Sequence, residues 1–152
     1  AEKFPQGNIL VMATPITIRE EKLHHLIEQF GGDANVMPLA CPGLMDFVEA
    51  GNINSPELYG FLRDLLEPYR ENLDAVVLGC THYPFVRKVI EQIVGDQVEI
   101  FDGGAGTARE MRRRLAADGL LREATGRKGK IEFHNSDLTK EREVLFEKLL
   151  NY

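Results

Sequence analysis

The string "GCTHYP", Gly79 to Pro84, follows an apolar run ending at Leu78 and sets a thiol and an imidazole two residues apart. Such a pair can do acid–base or nucleophilic chemistry, because a thiol ionises not far above neutrality and an imidazole can take or return its proton. Gly79 allows a tight turn, Cys80 then stands at the carboxyl end of a strand, and a helix expected over Phe85 to Val94 begins just behind it. Amides and the positive end of a helix favour a thiolate over a thiol at such a place. His82 is the candidate proton partner. Spacing alone leaves a second reading open, a small buried cysteine beside a satisfied surface histidine.

Three other loops after apolar runs invite the same question. Cys41 in "CPG" also ends such a run, but Pro42 removes an amide and no histidine is adjacent, so it reads as a packed thiol. Thr14 and Thr17 in "TPIT" can bind a carboxylate through hydroxyls and amides at a helix start. Equally, Thr17 can be only a cap, with Glu20 three residues on closing a capping box. "DGGAG" lacks the Lys-Ser/Thr of a phosphate loop and does not fit Gly-x-Gly-x-x-Gly, so it reads as a turn into a helix. The two cysteines and four histidines match no zinc spacing, and no metal site is expected.

The elements that would carry these loops alternate. "NILVMA" (8–13), 35–40, 74–79 and 98–101 read as short strands apolar on both faces. Amphipathic helices fall between them, over 18–30, 44–50 and from Ser55-Pro56 onward, where Pro68 should kink or split the helix. Another follows over 106–119. This alternation predicts an α/β fold, a flavodoxin-like three-layer αβα sandwich with a parallel sheet. In such sheets ligands bind beyond the carboxyl ends of the strands, where all four loops lie. After Gly119 the texture changes: "REATGRKGK" reads as a surface loop, followed by a short strand at 131–133 and a closing helix over 139–150. One strand and one helix make no sheet of their own.

Composition narrows the function classes. The chain has 152 residues, 43% apolar and 28% charged, which suits a globular domain. Its net charge of −6 argues against a nucleic-acid surface. Arg112, Arg113 and Arg114 fan around a helix as a solvated face and do not change that. No apolar run reaches the length of a membrane span and the start carries no secretory pattern, so a cytoplasmic location is expected.

Taken together and in this order, the loops resemble those of glutamate racemase in the aspartate/glutamate racemase superfamily. "VLGCTHYPF" is similar to that family's second-cysteine motif. "VMATPIT", "LACPGLMDFVEAG" and "IFDGGAGTARE" support it, the last where the family usually has Asp-Ser-Gly. The resemblance implies cofactor-independent interconversion of L- and D-glutamate for peptidoglycan synthesis, with two cysteines on opposite faces of the α-carbon. It implies Cys80 as one of them, assisted by His82, with Glu49 as the acidic residue near that histidine. Thr81, Thr14 and Thr17 would hold the substrate's carboxylate or ammonium. Neither the family's early Asp-Ser-Gly nor its Cys-Asn-Thr string occurs here, and Cys41 already matches the Cys-Pro position. The resemblance therefore implies the later part of a racemase without its N-terminal domain: residues 1–101 as the second α/β domain, and 102–152 as a closing segment that in the family packs onto the first. Alone, such a chain is expected to be inactive; a homodimer is common in the family. The rivals are an aspartate or other amino-acid racemase and a non-catalytic α/β binding module. A Cys-His hydrolase would further need an orienting third group and an oxyanion hole, neither of which the string displays.

Overall fold

The computed structural model describes residues 3–122, 126 and 129–152, which divide into two units at Gly103/Gly104. In the first unit, strands β1 (Asn8–Ala13), β2 (Asn35–Ala40), β3 (Ala75–Leu78) and β4 (Glu99–Asp102) form one parallel sheet in the order β2-β1-β3-β4. The register aligns Leu10 with Met37 and Val76, and Val76 with Ile100. Side chains alternate along each strand, so Leu10, Met12, Val76, Leu78 and Ile100 share one face, each at most 8% exposed. Ile9, Val11, Ala75, Val77 and Phe101 share the other.

Helices α1 (Pro15–Arg19) and α2 (Glu21–Phe30) join β1 to β2; α3 (Leu44–Glu49) and α4 (Pro56–Leu66) join β2 to β3; α5 (Arg87–Val94) joins β3 to β4. Parallel crossovers are right-handed. The first crossover runs outward from β1 and the other two run the opposite way, so their helices fall on opposite faces. The result is the expected α/β three-layer arrangement. Leu58, Leu62 and Leu66, one per turn of α4, are fully buried, each contributing about 1.5–3 kcal/mol by removal from water. They meet α5, whose Val89, Ile90, Ile93 and Val94 are buried with them.

Local departures from the sequence expectations have physical causes. The helix expected over 18–30 is two helices, broken at an extended Glu20. Thr14, not Thr17, is the cap: its Oγ1 accepts from the Thr17 amide at 3.3 Å, and Pro15 occupies the first helical position, where it needs no donor. Pro68 ends α4 by turning it into a 3₁₀ stretch, Glu67–Asn72. Residues 131–133 form no strand. A single extended segment without a pairing partner is unstable.

The second unit holds α6 (Gly104–Ala117) and α7 (Lys140–Leu150), neither of which buries a residue. Phe133 meets Phe146 at 5.6 Å between ring centroids. On α6, Arg113 and then Arg114 hold the exposed Glu110 carboxyl down at about 2. Most of the loop expected over 122–130 lies outside the described residues. Among the described residues no helix is long and apolar enough to cross a membrane.

Candidate active site

The carboxyl ends of β1, β2 and β3 are tied side by side. The Gly79 amide donates to the Met12 carbonyl at 2.8 Å, and the Cys41 amide to the Ala13 carbonyl at 2.9 Å. Thr14, Cys41 and Cys80 thus emerge next to one another at one edge of the sheet. Gly79 matters here for space: a Cβ on it would stand 2.9 Å from the Met12 oxygen and 3.3 Å from the Ala13 Cβ. A glycine at this position lets β3 deliver Cys80 against β1.

After Cys80 the chain makes a turn closed by the Tyr83 amide on the Cys80 carbonyl, at 3.2 Å, and runs through a 3₁₀ turn, Tyr83–Val86, into α5. Cys80 is half-buried. Its Sγ lies 3.7 Å from His82 Nδ1, and His82 Nε2 lies 2.7 Å from Glu49 Oε1. A carboxylate can only accept, so the hydrogen between them sits on Nε2; in the neutral imidazole Nδ1 then presents a lone pair to the thiol. The imidazole can then take the thiol proton while Glu49 stabilises the imidazolium that forms. Glu49 arrives from the last position of α3, which starts at a left-handed Gly43 with φ of 84°. The 33 residues separating it from His82 are spanned because α3 packs against the 3₁₀ turn.

The other candidates fall as follows. Thr14 and Thr17 have hydroxyl oxygens 2.9 Å apart, so they are bonded to each other, and Thr14 also caps α1. Thr81 is exposed in the turn between Cys80 and His82. Cys41 is 2% exposed, its thiol donates to the Leu39 carbonyl at 3.5 Å, and burial pushes its pKa to about 12. Sequence reasoning passed over Tyr83, which is wholly buried and whose hydroxyl donates to the Cys41 carbonyl at 3.4 Å. Burial, and the thiols of Cys41 and Cys80 nearby, push the Tyr83 phenol upward. The signal available was an aromatic with a polar tip directly behind the turn, a residue type that needs a partner when buried. Among the described residues no cluster of three or more His, Cys, Asp or Glu side chains is arranged to hold a metal ion.

By geometry alone, Cys80–His82–Glu49 is a thiol, a base and an orienting carboxylate, which supplies the third group a Cys-His hydrolase requires. It serves proton transfer equally well. Comparison with known proteins shows what the chain is similar to. No family model matches the chain. It is 46% identical over 131 residues to the glutamate racemase of Clostridium perfringens (strain SM101), covering 86% of this chain and 50% of that one. A glutamate racemase isoform of Bacillus anthracis superposes with a TM-score of 0.67 at 29% identity, over 78% of this chain and 45% of that one. The Francisella tularensis glutamate racemase, solved in complex with D-glutamate, superposes with a TM-score of 0.81, over 99% of this chain and 57% of that one; at 19% identity this likeness shows the fold alone. The chain is similar in sequence to glutamate racemases and shares their α/β fold. It spans about half the length of the curated relatives it matches.

Proposed function

We propose that this chain supplies one of the two acid/base half-sites of a glutamate racemase, with Cys80 as the group that removes or returns the α-proton on one face of the substrate. The observation that carries this reading is the continuous Cys80–His82–Glu49 relay at 3.7 and 2.7 Å. His82 takes the thiol proton; the thiolate takes the α-hydrogen; the electron pair left on the α-carbon spreads into the adjacent carboxylate. A proton delivered from the opposite face completes inversion, and the reverse sequence restores the first enantiomer. Every proton is accounted for without a cofactor. Thr81, Thr14 and Thr17 are the groups we assign to the substrate's carboxylate or ammonium.

The opposing acid is not Cys41, which is enclosed and whose thiol donates to the Leu39 carbonyl. We assign it to the half of the relatives' length that this chain does not cover. Residues 102–152 serve that same half, a reading supported by the absence of any buried residue on α6 or α7. The product we assign is D-glutamate for peptidoglycan, and so for cell-wall growth and cell shape, made in the cytoplasm, with a homodimer as a possible assembly. These finer assignments rest on the resemblance of the sequence motifs to the family.

Complementation tests the reading. The chain is co-expressed with the segment of the Clostridium perfringens relative that it does not cover. Interconversion of L- and D-glutamate is expected, with aspartate a poor substrate, and Cys80→Ala is expected to lower the rate by roughly 10²–10⁴-fold. A rate unchanged by Cys80→Ala, or a folded pair that turns over neither amino acid, counts against it and favours a non-catalytic α/β module. A preference for aspartate moves the assignment within the superfamily.

A further inference from the structure

We propose that Tyr83 is a positioning residue, whose phenol clamps the Cys80 turn to the loop opening α3 and thereby sets the reach of Glu49 to His82. The inference rests on the relay reading above and goes beyond it by naming what holds the relay in register. Tyr83 touches both sides of the joint. Its amide closes the turn on the Cys80 carbonyl at 3.2 Å, and its hydroxyl donates to the Cys41 carbonyl at 3.4 Å. Cys41 is itself fixed to β1 through its amide. From there α3 spans only six residues, about 9 Å, before it ends at Glu49. The same two segments are therefore joined twice, by the phenol at the start of α3 and by Glu49–His82 at its end.

Packing alone does not explain a tyrosine here. The ring is wholly buried, so a phenylalanine would fill the same space without the cost of taking a hydroxyl out of water. The hydroxyl does join two loops, and each of those loops carries part of the relay. The Cys41 carbonyl also accepts from the Leu44 amide at 3.4 Å, so removing the phenol oxygen orphans no acceptor. Tyr83→Phe is thus a change in positioning with little change in the core.

The test is the pH–rate profile for alkylation of Cys80 by iodoacetamide in the full chain, read by mass spectrometry, in Tyr83→Phe, Glu49→Gln and the double variant. Glu49→Gln is expected to change the rate near neutral pH by about threefold or more, Tyr83→Phe to do the same, and the double variant to match the singles, because the phenol acts through Glu49. Thermal unfolding of Tyr83→Phe should stay close to that of the parent chain. A Tyr83→Phe profile identical to the parent, or effects of the two substitutions that multiply, overturns the positioning role while leaving the relay intact. If Glu49→Gln and His82→Asn both leave the profile unchanged, the relay itself fails and this inference falls with it.

Discussion

Cys80 and Cys41 emerge from neighbouring strands yet differ in what surrounds the sulfur. Cys80 is half-buried with an imidazole nitrogen at 3.7 Å, whereas Cys41 is enclosed and bonded to a carbonyl. Reactivity should follow that difference. Under iodoacetamide at pH 9 the folded chain is expected to be labelled at Cys80 and spared at Cys41 until denaturant is added; early labelling of Cys41 would show that its enclosure is wrong. Burial raises the Cys41 thiol from 9.0 to about 12. Its neutral form therefore contributes stability in full below about pH 9, and that contribution is lost as pH rises toward about 12. The loss is up to about 1.4 kcal/mol per pH unit in that window, and Cys41→Ala should flatten it. Cys80's place at a strand end is readable from "VVLGCTHYPF", because an apolar run stopped by glycine announces it. Glu49 is not readable that way: no local spacing links residues 33 apart, and only family resemblance pointed to it.

At the level of elements, β3 and β1 approach so closely at their carboxyl ends that Gly79 has no room for a side chain. Gly79→Ala should lower the unfolding free energy by about 1–3 kcal/mol and change the alkylation rate of Cys80, since the turn must shift to admit the methyl group. A stable variant with unchanged Cys80 reactivity would mean that the strand end does not place the thiol. The strands were legible because buried β-runs are compact and nearly continuous. Pro68 was legible because it cannot donate to a helix. Thr17 reads as a cap in the sequence, whereas the cap is Thr14, and Pro15 at the first helical position is the sign that decides it. The helix over 18–30 reads as amphipathic, yet Leu26 and Phe30 on the apolar side of α2 are 44% and 63% exposed. A pattern shows which face is apolar; it does not say what covers it.

For the whole molecule, the first unit contains the four-stranded sheet and the Cys80–His82–Glu49 relay, while among the described residues the second holds two helices that bury no residue. Inversion at a carbon needs an acid and a base on opposite faces, and among this chain's thiols only Cys80 is placed to act. On the proposed reading the chain therefore supplies one half-site. This is tested most directly by incubating the purified chain with L-glutamate and with D-glutamate separately in heavy water, alongside Cys80→Ala, and following both α-deuteration and enantiomer composition. No interconversion by the chain alone is expected, with any Cys80-dependent deuteration confined to one enantiomer. Full interconversion of L- and D-glutamate, abolished in Cys80→Ala, would contradict it by showing that the chain supplies both acid/base groups.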